Sequence, residues 1–173
     1  EKLLSVDHAT EKGCIHTHSF KNSSELHDRL PSSVRDRVIW HRPGDDLDSL
    51  VQRFYASENL WLASPSCTEG LDGKGDRIRA QILIKAPYPS LGDARVAARL
   101  ALKDGPIWYA SKAVSSLVQA YGRGTRGKSD YCVTYVLDTG VSRLALQTRG
   151  ITPRWFADAW RKSGAGSWEN IGG

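Results

Sequence analysis

One glycine-rich and basic stretch of the chain, SLVQAYGRGTRGKSDY at residues 116–131, carries side chains suited to binding phosphate. At about 100° per residue, Gln119, Arg123 and Arg126 fall on one face of a helix. Arginine grips phosphate oxygens through a planar fork with two parallel N–H bonds, which lysine lacks. The spacing therefore predicts a helix that presents two guanidiniums and an amide to a phosphate; a solvated basic face is the alternative.

Glycines interrupt this helix at a cost of about 1 kcal/mol each relative to alanine, so helix stability does not explain them. Gly122 and Gly124 lie beside the arginines. Because glycine has no side chain, another domain or a nucleotide can approach the helix closely there. The opposite face carries the residues expected to pack, which are Val114, Leu117, Val118 and Tyr121.

A second group of polar residues lies in TEGLDGKGD, residues 68–76. Gly70 permits a tight turn, and Glu69 and Asp72 place two carboxylates within it. Those carboxylates suit a ribose hydroxyl, a water bound to Mg²⁺, or an arginine. An ordinary surface turn is the alternative interpretation.

Length and composition indicate an ordinary globular protein. The chain has 173 residues, of which 40% are hydrophobic and 25% are charged. We expect one domain over residues 1–162 and a flexible tail over residues 163–173. The net charge of +5 favours polyanionic partners. No apolar run approaches the about 18 residues of a membrane span, and the first residues lack the order of a secretion signal.

The three cysteines, Cys14, Cys67 and Cys132, are far apart and form no CxxC pair. This spacing argues against a disulfide framework and against a zinc knuckle. We expect reduced thiols in an intracellular compartment, the cytoplasm or, in a eukaryote, the nucleus. The chain begins at Glu1 and has no methionine, which predicts a piece of a longer or processed protein.

Short runs of aliphatic, β-branched and aromatic residues predict five strands that alternate with helical segments. The predicted strands cover residues 13–20, 37–42, 59–66, 80–87 and 131–138. Such alternation predicts an α/β fold with a parallel sheet covered by helices on both faces. Ligands bind such sheets at the carboxyl ends of the strands, so the loops that follow the strands should form the site.

Capping residues and apolar spacing locate the first helices. Asn22 or Ser23 is expected to cap one helix, and Asp45 or Asp46 is expected to cap the next. The predicted buried face of that second helix consists of Leu47, Leu50, Val51 and Phe54.

Two further helical regions are predicted in the second half of the chain. One runs over about residues 94–126 with a break near residues 103–106. The other is short, with Thr152 as its cap and Pro153 at its first position, a favoured place for proline.

These motifs, in this order, resemble the second motor domain of superfamily 2 helicases, specifically the XPD/DinG-like family of DNA helicases. SCTEGLDGKGD at residues 66–76 resembles that family's motif V, and QAYGRGTRGKSDY at residues 119–131 resembles motif VI, of the form QxxGRxxRxxxD. GCIHTHSF at residues 13–20 resembles motif IV. ILIKAPYPSLGDARVAAR at residues 82–99 resembles the strand and proline-rich turn that follow motif V. The resemblance covers about residues 12–160, and motif VI is its most specific part.

The resemblance implies roles for particular residues. Arg123 and Arg126 match the arginines that reach the γ-phosphate of ATP, which implies a catalytic role. The residues implied in nucleotide binding are Gln119, Gly122, Glu69, Gly70 and Asp72. The residues implied in nucleic-acid binding are Ser19, Phe20, Lys21 and Thr68, and no metal ligand is implied.

The function that the resemblance implies is that of a RecA-like C-terminal motor domain in an ATP-dependent DNA helicase or translocase acting on single-stranded DNA, in repair or replication. ATP and Mg²⁺ would be held with an N-terminal RecA-like motor domain of the same protein. GRGTRGKS at residues 122–129 fits the letters GxxxxGK[ST], but it follows a predicted helix and precedes a predicted strand, the reverse of the strand–loop–helix order of a phosphate loop. No acidic Walker B box is present either, so this chain by itself should hold neither ATP nor Mg²⁺ and should be inactive. A non-hydrolysing nucleic-acid-binding module of the same fold and an RNA-directed superfamily 2 helicase are the alternatives.

The chain departs from the family's pattern in two places. SPSC at residues 64–67 lacks the basic residue that some relatives have before motif V. The helical insertion between motifs V and VI is reduced to roughly residues 90–107, which implies translocation without strong unwinding.

Overall fold

The computed structural model describes residues 1–67, 78–124, 130–164 and 167–170, with backbone but not side-chain placement for Arg123 and for the residues after Arg161. Its contacts group the chain into two units. The first comprises Glu1–Lys85 and Gln119–Leu137, and the second comprises Ala86–Val118 and Asp138–Gly173.

A five-stranded parallel sheet forms the centre of the first unit, with strand order β2-β3-β1-β4-β5. Its strands are β1 (Gly13–His16), β2 (Val38–Trp40), β3 (Trp61–Ser64), β4 (Ala80–Leu83) and β5 (Val133–Val136). In the register of the central strands, Ile15 pairs with Ala63 on one side and with Ile82 on the other. The predicted α/β fold with a parallel sheet is therefore confirmed, and each strand is shorter than the run that predicted it.

Alternating side chains of the strands supply a buried core on each face of this sheet, because successive residues of a strand point to opposite faces. One cluster consists of Leu4, Ile15, Val34, Val38, Trp61, Ala63, Ala80 and Ile82. The other consists of Cys14, Ile39, Val51, Phe54, Leu62, Cys67 and Ile78. Burial on both faces explains why the strands read as nearly continuous apolar runs.

Helices of the first unit cover both clusters. After a π-helical turn at Leu3–Asp7 come α1 (Phe20–Arg29), α2 (Ser32–Arg35) and α3 (Leu47–Ala56). The side chain of Asp46 accepts a hydrogen bond from the Ser49 backbone N–H at 3.1 Å, which confirms the predicted cap of α3. The predicted face of α3 is also confirmed, since Val51 and Phe54 are buried and Leu47 and Leu50 pack beside them.

The predicted start of α1 is wrong by several residues. Ser19, not Asn22 or Ser23, is the cap, and its hydroxyl accepts a hydrogen bond from the Asn22 backbone N–H at 3.1 Å. The preceding strand ends at His16 because His18 has a φ of 61°, in the left-handed region that strands do not adopt. A serine placed between a strand and an apolar helix start fits the usual cap preference.

Two helices occupy the long region that the sequence predicted as helical. They are α4 (Ala94–Leu100) and α5 (Gly105–Gly124). The predicted break lies between them, and an ion pair from Arg99 to Asp104 at 2.6 Å spans it.

The second unit contains secondary structure that the sequence did not predict. Helix α6 (Val141–Thr148) follows β5, in a segment for which no helix was predicted. Helix α7 (Arg154–Ala159) begins one residue later than predicted, with Pro153 in the cap position, and the Thr152 hydroxyl donates to the Thr148 carbonyl at 2.9 Å. Strands β6 (Arg161–Gly164) and β7 (Ser167–Asn170) pair in antiparallel orientation, and neither strand was predicted from the sequence.

Candidate functional site

The end of α5 holds the first group of residues with predicted roles. Gln119 is exposed, and a Cβ added at Gly122 would meet nothing within 4 Å. Arg123 lies within the last turn of the helix. Arg126 lies outside the described residues, as do Thr68, Glu69, Gly70 and Asp72 of the second predicted loop. The predicted helix is present through Gly124, and Gln119 and Gly122 continue an exposed face that already includes Lys112 and Ser115.

A buried glutamine lies beneath this end of α5. The Gln81 side chain, in the middle of β4, is fully buried, and its Nε2 donates to the Ala120 carbonyl at 3.0 Å and to the Thr134 hydroxyl at 3.3 Å. Its Oε1 accepts from His16 Nε2 at 3.2 Å and from the Cys14 thiol at 3.7 Å. A buried amide without partners would cost about 1–3 kcal/mol, so these bonds keep the glutamine compatible with the core.

The network around Gln81 is neutral near pH 7. Burial lowers the pKa of His16 to about 4, against the smaller opposing effect of its bond to Gln81. Burial raises the pKa of Cys132 to about 12. Hydrogen bonding to Cys67 and burial raise the pKa of Cys14. Uncharged groups that are hydrogen-bonded to one another in a dry interior hold a fixed geometry, although the buried Nδ1 of His16 has no hydrogen-bond partner among the described residues.

Residues that flank both predicted loops meet in an ion pair. Arg79 follows residues 68–77, and Asp130 follows residues 125–129. Their side chains are 15% and 11% exposed, and Arg79 donates to the Asp130 carboxylate at 2.7 Å. The guanidinium also lies 4.5 Å from the centre of the Tyr131 ring. Asp130, the last residue of the QxxGRxxRxxxD pattern, is thus paired with Arg79, the residue immediately before β4.

The loop after β1 holds the second group with predicted roles. Ser19 is half-buried at the helix cap, and its hydroxyl keeps its own proton to donate because it accepts from Asn22. Phe20 is 38% exposed, and Lys21 is exposed, 4.0 Å from Glu25. His18 Nε2 donates to the Lys85 carbonyl at 2.8 Å, which ties this loop to the end of β4.

A surface cleft of about 330 Å³ adjoins this loop, between α1 and the end of β2. Its lining includes Phe20, His27, Trp40, His41 and Arg42. The Phe20 and His41 rings meet edge to face with centroids 5.1 Å apart. The cleft therefore offers aromatic edges and one guanidinium beside the predicted nucleic-acid residues.

Exposed cations also follow three of the parallel strands at the same edge of the sheet. They are Lys21 after β1, Arg42 after β2 and Lys85 after β4. Phosphate backbones are bound mainly by such lysine and arginine side chains. The arrangement suits a polyanion that crosses the carboxyl edge of the sheet.

Sequence reasoning missed one contributor to this geometry, Gln81. It carried one visible signal, a glutamine within the apolar run AQILI. The loop that begins with His41 and Arg42 was not missed, since it follows β2 and belongs to the strand-end loops that were expected to form the site.

Two kinds of site are absent from the parts of the chain that the structure describes. Within residues 1–67, 78–124 and 130–164, no group of three His, Cys, Asp or Glu side chains is arranged to hold a metal ion. No helix in the described residues is long and apolar enough to cross a membrane.

Comparison with known sequences matches the chain to a protein family and to a curated relative. The family described as "Helicase C-terminal domain" matches residues 3–159. The chain is also 24% identical, over 163 residues, to the "Regulator of telomere elongation helicase 1 homolog" of Caenorhabditis elegans. That match covers 82% of this chain and 16% of the relative, so the chain spans about a sixth of the relative's length.

Proposed function

We propose a function from the premise that the chain belongs to the XPD/DinG-like helicase C-terminal domain family. In this proposal, the chain is the second motor domain of an ATP-dependent DNA helicase or translocase that acts on single-stranded DNA. The observation that supports this most is the end of α5. There the exposed Gln119 begins the QxxGRxxR pattern, while the neighbouring Ala120 is bonded from beneath by Gln81. This helix end is fixed on its buried face by a hydrogen bond and is exposed on its other face. Such an arrangement suits side chains that contact a partner domain.

In this proposal, Arg123 and Arg126 reach an ATP molecule held by an N-terminal motor domain. Their guanidiniums neutralise negative charge that develops on the transferred phosphoryl oxygens. Arginines in this position typically contribute about 10³–10⁵ in rate. Gln119 and Gly122 lie against the nucleotide, and the open space at Gly122 permits that close approach.

The loop at residues 68–77 is proposed to contact both the nucleotide and the nucleic acid, and so to couple the two sites. Glu69, Gly70 and Asp72 are proposed on its nucleotide side, and Thr68 on its nucleic-acid side. Mg²⁺ is proposed to accompany ATP on the N-terminal motor domain, where it would neutralise phosphate charge. The ion pair of Arg79 with Asp130 supports a coupled pair of loops, since it joins the residues that follow both.

A single strand is proposed to cross the carboxyl edge of the sheet. Ser19 and Lys21 would contact backbone phosphates, and Phe20 would stack on a base. Stacking of a base on an aromatic side chain is worth about 1–3 kcal/mol. The exposed cations Arg42 and Lys85, at the same edge, support a path for a polyanion.

An intracellular location, the cytoplasm or the nucleus, accords with the chemistry of the thiols. Cys14, Cys67 and Cys132 are all free. Free thiols persist in the reducing compartments in which helicases meet nucleic acid.

The experiment is ATP hydrolysis by the full-length protein, with no nucleic acid, with a single-stranded DNA, and with an RNA of the same sequence. We expect turnover that rises at least about tenfold with DNA and less with RNA, since coupling between two sites is typically worth about 5- to 150-fold. Stimulation by RNA equal to or above that by DNA would assign the motor to RNA. Absence of any turnover, with single-strand binding intact, would contradict the motor function and favour a non-hydrolysing binding module.

A further inference from the structure

The Gln81 side chain joins four parts of the first unit. It lies in β4 between the buried residues Ala80 and Ile82, and it is itself fully buried. Its amide reaches β1, β5 and the last turns of α5 at once. A strand residue in that position is ordinarily apolar, so hydrophobic packing alone does not explain why a glutamine lies there.

The bond from Gln81 to α5 is made to the backbone. Nε2 donates to the Ala120 carbonyl at 3.0 Å, which requires the amide nitrogen to face the helix and Oε1 to face β1. A carbonyl oxygen has two lone pairs, so Ala120 can accept this bond and still accept one within the helix. The bond therefore fixes the distance between the end of α5 and β4.

The other end of the Gln81 amide is also held. Oε1 accepts from His16 Nε2 and from Cys14, so the imidazole proton lies on Nε2. Because burial lowers the pKa of His16 to about 4, this ring stays neutral and keeps that tautomer at pH 7. The glutamine is thus oriented before any ligand arrives.

A second contact fixes the same turn one step further along α5. A Cβ added at Gly124 would lie 2.3 Å from Cys132 Sγ and 3.0 Å from Gln81 Nε2. The backbone at Gly124 therefore rests directly on the Cys132 and Gln81 side chains. Ala120 and Gly124 are four residues apart, so they lie on the same face of the helix.

We infer that Gln81 is a positioning residue for the arginine-bearing end of α5, setting where Gln119 and Arg123 meet the nucleotide. Gln119 immediately precedes the anchored Ala120, and Arg123 immediately precedes the anchored Gly124. This inference rests on the proposed motor function. It goes beyond that function because it assigns the placement of catalytic groups to a buried residue outside every motif.

The test uses Gln81→Met in the full-length protein, which keeps the length of the side chain and removes its hydrogen bonds. The matched control is Thr134→Val, which removes the other acceptor of Nε2 and leaves the bond to Ala120. Gln81→Asn, one methylene shorter, is the second variant if the methionine variant does not fold. Each is measured by DNA-stimulated ATP hydrolysis, by single-strand affinity, and by hydrogen exchange of the amides at residues 117–124.

We expect Gln81→Met to lower kcat by about 10- to 100-fold, because a misplacement of about 1 Å costs that much in positioned reactions. KM for ATP should rise by a smaller factor than kcat falls, since nucleotide-binding groups outside this turn are untouched, and single-strand affinity should change by less than about threefold. Amides at residues 121–124 should exchange at least about fivefold faster, as local opening becomes easier. Thr134→Val should leave kcat and these exchange rates within about twofold of the unsubstituted protein.

The hydrogen-exchange result separates this inference from the motor function. If the unsubstituted protein hydrolyses no ATP, the motor function fails, and unchanged exchange in Gln81→Met would then overturn the anchor as well. If the unsubstituted protein is active, an unchanged kcat in Gln81→Met overturns the positioning role and leaves the motor function standing. An equal loss of kcat in Thr134→Val would also overturn it, because that variant keeps the bond to Ala120.

Discussion

The end of α5 and the loop after β1 hold their predicted functional residues in two different ways. At the end of α5, Ala120 and Gly124 are fixed by contacts with Gln81 and Cys132. In the loop after β1, the cap is local, since the Ser19 hydroxyl bonds to a backbone group three residues away. One region depends on distant strands, and the other depends largely on its own sequence.

This difference predicts which property of the protein a substitution in each region should change. A group that stabilises charge in a transition state needs placement to within about 1 Å. A loop that follows a flexible phosphate backbone tolerates more freedom, and its affinity depends on charge. Substitutions near α5 should therefore act on stability and catalysis together. Substitutions in the loop should act either on its local cap or, in small steps, on nucleic-acid affinity.

The largest expected effect on stability is the pH dependence that arises from His16. Burial lowers its pKa from 6.5 to about 4 in the folded protein. Between these values the unfolded chain binds a proton that the folded chain does not, so stability falls as the pH is lowered from 6.5 to 4. The full difference is worth about 3 kcal/mol at 1.36 kcal/mol per pKa unit.

Chemical unfolding at a series of pH values measures this effect. His16→Gln should reduce the pH slope of the free energy of unfolding by nearly one proton in this window. An unchanged slope in the variant would show that another group is responsible.

The second effect concerns the close contact at Gly124. Gly124→Ala should destabilise the protein by about 1–3 kcal/mol, because the new Cβ overlaps the Cys132 side chain. Cys132→Gly removes both overlapping atoms, the Cβ and Sγ of Cys132. The double variant should therefore be at least about 1 kcal/mol more stable than the sum of the two single losses predicts. Thermal unfolding of the four proteins measures this coupling.

Gly122→Ala is the matched control for that cycle, since a Cβ there would meet nothing within 4 Å. It should stabilise the helix by up to about 1 kcal/mol. A loss of stability at Gly122, or a gain at Gly124, would contradict the account of the α5 end.

The third effect is the loss of the local cap. Ser19→Ala should lower the free energy of unfolding by about 1 kcal/mol, the usual value of a serine cap. Ser24→Ala, an exposed serine within α1, should change it by less than about 0.5 kcal/mol. Equal losses in the two variants would indicate that the Ser19 hydroxyl does not act as a cap.

The smallest effect is electrostatic. Lys21→Ala should lower the slope of log affinity against log salt by about 0.7 for single-stranded DNA, the value for one lost phosphate contact. Lys2→Ala is the control, since Lys2 is equally exposed and similarly paired, 3.9 Å from Asp7. A larger change for Lys2 than for Lys21 would move the nucleic-acid path away from the loop after β1.

Local sequence was enough to predict the features that local physics determines. The apolar runs predicted all five parallel strands, and the spacing of Leu47, Val51 and Phe54 predicted the buried face of α3. Asp46 was correctly among the predicted caps because its partner, Ser49, is three residues away.

Features that depend on distant residues were missed for an equally physical reason. The partners of Gln81 lie 65 residues before it and 39 residues after it, at His16 and Ala120. No window along the chain contains all three. The true cap of α1 was missed because β1 ends early, at a positive φ of His18 that composition does not reveal.

The most direct test of the central claim is single-turnover ATP hydrolysis by the full-length protein and its Arg126→Ala variant, with DNA present. The control is Arg95→Ala, an arginine of α4 with an exposed side chain paired to Asp93. The account predicts a loss of at least about 10³ in the rate of the chemical step for Arg126→Ala, with ATP binding, single-strand binding and the control variant nearly unchanged. A rate for Arg126→Ala within a few-fold of the unsubstituted protein would contradict the claim that this domain supplies catalytic arginines.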